Sequence, residues 1–159
     1  MERKLAKEFN NKGFDLFKQN LYQDAITEFD KALELNSSYK EALYNKALSL
    51  FLLNKHADSI STINKAIMIN EKYSKALNLK GLVLTSLNRF FESALVYEKE
   101  CDGHEDGSYY SNKGNSLSNF DYSAAIDNFN KAIELKFDVN SCQKEINQLQ
   151  EKTDSLNCM

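Results

Sequence analysis

The sequence predicts an all-α chain made of repeated helix pairs. Three observations point there. The chain matches itself when displaced by 34 residues. Inside each copy, apolar residues recur at spacings of three and four, the mark of one helix face. Helix-breaking residues are scarce, with no Pro and five Gly in 159 residues, while Leu, Ala, Lys and Glu abound.

The self-match runs through three copies in register. Gly13 falls on Ala47 and then Gly81; Ala25 on Ser59 and Ser93; Phe29 on Ile63 and Tyr97; Ala32 on Ala66. A fourth copy, with Gly114, Ala125, Phe129 and Ala132, is slightly out of register. In the first helix of copy one, Phe9, Gly13, Leu16 and Phe17 share a face; in the second, Ala25, Phe29, Ala32 and Leu33 do. Asn20, Asn54 and Asn88 stand between the helices, and Asn tolerates the left-handed backbone that ends a helix. The small residues Gly13, Ala47, Gly81 and Gly114 mark close helix crossings. After Leu135 a last helix over about 139–152 is expected, with Val139, Cys142, Ile146 and Leu149 on one stripe and Lys144, Gln148, Glu151 and Lys152 away from it. A polar outer face suits a helix that caps a repeat array. Residues 153–159 lack a pattern and read as a frayed tail.

These residues resemble the tetratricopeptide repeat (TPR) family. The period, the small residue in the first helix, the Ala or Ser opening the second and the large residue four later all match, over about residues 6–138. The resemblance implies an α-solenoid of about four helix pairs in a right-handed superhelix, with repeats about 6–39, 40–73, 74–106 and 107–138. It implies a concave groove lined by the first helices, and a role in holding peptides or partner proteins.

The chain departs from the family pattern in places. The Pro that often follows the second helix is absent; Ser37, Glu71, Glu105 and Phe137 stand there. Asn36-Ser37-Ser38 and Asn70-Glu71 are therefore expected to cap the helices that follow. Repeat four lacks the inter-helix Asn between Phe120 and Asp121, so its turn is shorter. Repeat three has Glu100 and Gly103 where the others have Ala and Leu or Ile, so its second helix should end early. The junction at residues 101–107 should be the weakest in the array, because neighbouring repeats stabilise one another.

Several function classes are disfavoured. A net charge of -3 at pH 7 with only Arg3 and Arg89 as arginines speaks against a nucleic-acid binder. No apolar run reaches the ~20 residues of a membrane span, and the polar start Met1–Leu5 shows no secretory signal. Cys101, Cys142 and Cys158 have no metal or redox spacing and read as reduced thiols in the cytoplasm. Cys101 and His104 with Asp102, Glu105 and Asp106 are too few soft ligands for structural zinc. His56 matches Tyr22, Phe90 and Tyr122 and is expected to pack within the repeat. No nucleophile has a base partner and no phosphate loop is present. Neither an enzyme nor a cofactor is expected.

The groove is where function is expected. Its candidate residues are Lys7, Asn10, Asn11 and Phe14 in repeat one, Tyr44, Asn45 and Leu48 in repeat two, Lys75, Asn78 and Leu79 in repeat three, and Asn112 and Asn115 in repeat four. Glu41, Phe51 and Leu82 share that face, although Phe51 and Leu82 fit packing between helices equally well. Asn11, Asn45 and Asn112 hold equivalent places and can donate and accept toward a peptide backbone. Phe14, Tyr44, Leu48 and Leu79 make the first three repeats apolar, as at interaction sites. Some TPR co-chaperones clamp the acidic tails of heat-shock chaperones. Their clamp places fall on Asn10, Phe14, Asn45, Lys75 and Leu79, and only Asn45 and Lys75 match. Such tails are not expected ligands. The expected function is a non-enzymatic adaptor or chaperone holding a partly apolar peptide or helix; a self-assembling scaffold is the alternative.

Overall fold

The computed structural model describes residues 2–98 and 106–157. They form nine helices and no strand: α1 (Glu2–Lys18), α2 (Tyr22–Leu35), α3 (Lys40–Leu52), α4 (His56–Ile69), α5 (Ser74–Ser86), α6 (Phe90–Tyr97), α7 (Gly107–Leu117), α8 (Tyr122–Glu134) and α9 (Val139–Asn157). The helices pack as successive pairs, α1–α2 to α7–α8, with α9 laid on α8. First helices also touch one another, α1 on α3, α3 on α5 and α5 on α7, whereas no two second helices pack together to that extent. The first helices therefore form the inner wall of an α-solenoid.

The turn inside each of the first three pairs is set by one residue. Asn20, Asn54 and Asn88 have φ of 62°, 58° and 58°. Around Asn20, its own N–H donates to the Phe17 carbonyl and Leu21 N–H to the Leu16 carbonyl. Asn54–Lys55 and Asn88–Arg89 repeat that pattern, which closes a helix end with a left-handed residue. In the fourth pair the shorter turn lacks it: Asp121 N–H bonds back to the Leu117 carbonyl, and the Asp121 carboxylate caps α8 through Ala124 N–H at 2.9 Å.

Between pairs, the expected capping role of Asn36 and Asn70 is corrected. Asn36 Oδ1 accepts from Ser38 N–H at 3.2 Å, and Asn70 Oδ1 from Lys72 N–H at 3.0 Å. Each side chain thus folds its own turn two residues on, doing what a proline would do by fixing φ. The residues at the starts of α3 and α5 are Tyr39 and Tyr73, and neither caps through its side chain.

The small residues of the first helices face the large residues of the second. A Cβ on Gly13 would stand 2.6 Å from Phe29 Cε1, one on Gly114 2.9 Å from Phe129 Cε1, and one on Gly81 would overlap the Tyr97 ring. Repeat two trades volume the other way: Ala47 meets Ile63, and both are fully buried. Ala32, Ala66 and Ala132 are also fully buried.

At the third pair, α6 stops at Tyr97, short of the equivalent helices, as expected. Glu100, Cys101, Gly103 and His104 lie outside the described residues. The α6–α7 junction is held from both sides. Tyr109 packs edge-on against Tyr97 at 5.2 Å and its hydroxyl donates to the Tyr97 carbonyl at 2.5 Å. Below it, Thr85, Ser93 and Ser116 hydroxyls lie 2.7–3.0 Å from one another. The Gly81 carbonyl lies within reach of the Thr85 and Ser93 hydroxyls and the Asn112 carbonyl within reach of Ser116, so the cluster has acceptors for its protons.

On α9, Cys142, Ile146 and Leu149 are buried with Leu117, Phe129 and Ala132. Two expectations change here. Val139 is 44% exposed, off the buried stripe. The helix continues to Asn157, where a frayed tail was expected from residue 153; Thr153 Oγ1 donates to the Leu149 carbonyl at 2.9 Å. Cys142 is a buried free thiol, and burial pushes its ionisation upward. Cys158 lies outside the described residues.

Candidate functional site

The inner wall of the first three pairs contains a cleft of about 390 Å³, lined by Asn10, Asn11, Phe14, Glu41, Tyr44, Asn45, Leu48, Tyr73 and Lys75. Seven of the sequence-assigned residues thus meet in one place. Phe14 and Leu48 supply aliphatic and aromatic wall. The Tyr44 and Tyr73 rings lie 5.9 Å apart, tilted, and Lys40 Nζ sits 5.0 Å over Tyr73. Burial raises the ionisation of both phenols, and with Glu41 and Tyr44 nearby Tyr73 is pushed up to about 12. At neutral pH both hydroxyls stay protonated and can donate. Glu41 and Lys75 are exposed at the rim, so the cleft carries one charge of each sign.

The other assigned residues lie elsewhere. Lys7 is exposed on α1, one turn before Asn10 and Asn11. Asn115 is exposed on α7. Leu79 is only 4% exposed and belongs to the core between the second and third pairs, so it is not groove surface. Its place explains this: Leu79 stands where Asn45 stands one repeat earlier. Asn45 Nδ2 donates to Asn10 Oδ1 at 3.1 Å, and Asn112 Nδ2 donates to Asn78 Oδ1 at 3.1 Å. These amides tie neighbouring first helices together, and between the two ties the middle step is made by packing Leu79. Asn78 Oδ1 also accepts from the Tyr97 hydroxyl at 3.2 Å. Asn45 and Asn112 therefore spend one donor each inside the fold, and their expected role toward a ligand shrinks to what remains. Asn11 is exposed. Phe51 packs on the core cluster and against His56 at 5.5 Å, the interhelical reading of both residues.

Tyr73 was not assigned from the sequence. It precedes α5, outside the helical stripe that identified the others, and only the stacking of α5 on α3 brings it to Tyr44. A wider depression of about 850 Å³ lies where the α7–α8 turn and α8 meet the end of α9, lined by residues including Phe120, Tyr122, Ile126 and Gln150. No residue assigned to the groove reaches it.

A family model described as tetratricopeptide repeat matches residues 11–75. The chain has the tetratricopeptide-repeat fold. It superposes on YrrB, described as a TPR protein with an unusual peptide-binding site, with a TM-score of 0.78 at 19% identity, covering 92% of this chain and 76% of that one. The corresponding values for pilF of Pseudomonas aeruginosa are 0.83, 19%, 97% and 71%. For the second TPR of Spaghetti (RPAP3), bound to the HSP90 peptide SRMEEVD, they are 0.58, 22%, 60% and 89%. No curated protein matches the chain's sequence. Among the described residues no helix is long and apolar enough to cross a membrane. Nor is there a group of three or more His, Cys, Asp or Glu placed to hold a metal ion. Of the set judged too sparse for zinc, Cys101, Asp102, His104 and Glu105 lie outside the described residues, and Asp106 caps α7 through Tyr109 N–H.

Proposed function

We propose that this TPR chain acts as a non-enzymatic adaptor or chaperone, holding a partly apolar peptide or helix of a partner protein in the cleft between α1, α3 and α5. The observation that carries this is the composition of the cleft itself: Phe14, Leu48, Tyr44 and Tyr73 form an apolar floor beside Asn11, Glu41 and Lys75. Apolar walls bury a ligand side chain, while a few fixed polar groups set its register. Acidic chaperone tails are poor candidates, because Phe14 and Leu79 replace two clamp positions and Leu79 is buried. The lack of spaced cysteine pairs favours the cytoplasm.

The test is a selection of binding peptides from a displayed random library against the full chain, followed by titration of the selected peptide. Tyr44→Ala with Asn45→Ala should weaken binding at least tenfold, or roughly 1.4 kcal/mol. Circular dichroism should show an unchanged helix content. Equal affinity of the double variant would move the site away from this cleft.

A further inference from the structure

Each described first helix after α1 is seated on the second helix before it by two apolar residues that flank a lysine. Leu43 and Leu50 of α3, three residues before and four after Lys46, are buried, and Leu33 of α2 packs on the cluster that holds Leu43. Lys46 Nζ reaches Asp30 of α2 at 2.5 Å. On α5, Leu77 and Leu84 flank Lys80 and bury against Ile60 and Ile67 of α4. On α7, Tyr110 and Leu117 flank Lys113, which reaches Glu98 beyond α6 at 3.1 Å. Under α3 the receiving helix offers the complement, Ile26, Asp30 and Leu33 of α2: aliphatic, carboxylate four later, aliphatic three beyond; α4 has Asn64 in the carboxylate place between Ile60 and Ile67.

Helix α1 carries the same triplet as Phe9, Lys12 and Leu16. No described helix is seated on it from that side, since α1 packs only with α2 and α3. Phe9 and Leu16 are half-buried, where their counterparts Leu43 and Leu50 are 4% and 6% exposed. The Lys12 side chain is 63% exposed and turns to Glu28 of its own pair at 3.0 Å. Glu28 already has Lys31 at 2.9 Å, and its second oxygen, Oε2, is buried without a hydrogen-bond partner.

From this match we infer that the face of α1 bearing Phe9, Lys12 and Leu16 is a second docking surface, separate from the cleft. Its occupant is an amphipathic helix of a partner protein that presents aliphatic, carboxylate and aliphatic residues at i, i+4 and i+7. Charge favours this occupant. Lys12, Lys31 and Glu28 sum to one positive charge, so a carboxylate is attracted. When Lys12 swings to it, Lys31 stays on Glu28 and no carboxylate is left unpaired. A second copy of the chain fits poorly. Two such faces would oppose like charges, and the outer face of α9 offers Lys144, Gln148 and Glu151 in place of aliphatics.

The test uses the full chain and a hydrocarbon-stapled, fluorescein-labelled peptide of residues 22–35, whose docking face is known from its seat under α3. Fluorescence anisotropy should show saturable binding. Lys12→Glu should weaken it roughly tenfold, by one like-charge contact. A peptide with Asp30→Lys should reverse the preference and bind Lys12→Glu better than the unaltered chain. Leu16→Gln should also weaken binding, and Tyr44→Ala in the cleft should leave it unchanged. Absence of saturable binding overturns the inference, as does binding indifferent to Lys12→Glu or lost in the cleft variant. A chain that sediments as a dimer, and as a monomer after Lys12→Glu, assigns the face to a second copy instead.

Discussion

The pairing of a glycine in the first helix with an aromatic ring in the second makes a sharp test of how the repeats are packed. Consider Gly13→Ala. In an exposed helix this change stabilises by about 1 kcal/mol, because Ala loses less backbone entropy. Here the new methyl would stand 2.6 and 2.7 Å from two carbons of the Phe29 ring and 3.1 Å from the Ala25 carbonyl oxygen. Phe29 is fully buried, so the ring has no solvent to move into. Overpacking of this kind costs ~1–3 kcal/mol. The clash should outweigh the propensity gain and leave a net loss of roughly 1 kcal/mol. Repeat two contains the compensated pair, Ala47 with Ile63. Gly13→Ala combined with Phe29→Ile should therefore be less destabilising than the two single changes added together. A coupling of about 1 kcal/mol is expected for residues in contact. Urea denaturation followed by circular dichroism gives the three values, provided the slopes agree. Gly114→Ala, with its nearest ring carbons at 2.9–3.1 Å, should sit closer to neutral. If Gly13→Ala stabilises the chain, or if the double variant shows no coupling, the crossing is not limited by volume and the reasoning fails.

Ala32→Glu should cost several kcal/mol, since Ala32 is fully buried and the change adds both bulk and an unpaired charge; an unchanged melting temperature would contradict the repeat alignment. Glu28 is held below the usual carboxylate range, first by Lys31, against burial that pushes it up, and then by Lys12. Its stabilising contribution is present above the unfolded value of about 4.3 and is lost as pH falls through the lower folded value. Melting temperatures between pH 6 and pH 3 should accordingly fall less steeply in Glu28→Gln than in the unaltered chain; parallel curves would show that Glu28 is not a linked group. Tyr109→Leu removes the hydroxyl that bonds the Tyr97 carbonyl and should speed amide exchange in α7–α9 while leaving α1–α4 unchanged, as expected of local opening in a repeat array. Uniform acceleration along the chain would show one cooperative unit.

Much of the architecture was legible in local sequence, for a physical reason. A period of 34 and spacings of three and four depend only on residues near in sequence, and so does the need for Asn at φ near 60° in the turns. The faces of α1, α3 and α5 could be drawn on the same basis, which is why Asn11, Phe14, Tyr44, Asn45, Leu48 and Lys75 meet in one cleft. What a face does once neighbours stack on it is a different matter. Leu79 and Asn45 hold equivalent places, yet one is buried and the other lines the cleft, because the superhelix presents each repeat to a different pair of neighbours. Asn10, Asn45, Asn78 and Asn112 read as ligand-binding amides, but they pair across the fold, Asn45 with Asn10 over 35 residues and Asn112 with Asn78 over 34. Tyr73 reaches the cleft from outside any helical stripe. Helix α9 persists past residue 153 without an apolar pattern, which periodicity reads as a tail. The sequence by itself determined which residues form helices and where the chain turns, since both follow from backbone preferences and short-range contacts. Only the tertiary structure decided which polar groups are consumed by packing and which remain for a partner, because that depends on desolvation by helices a full repeat away.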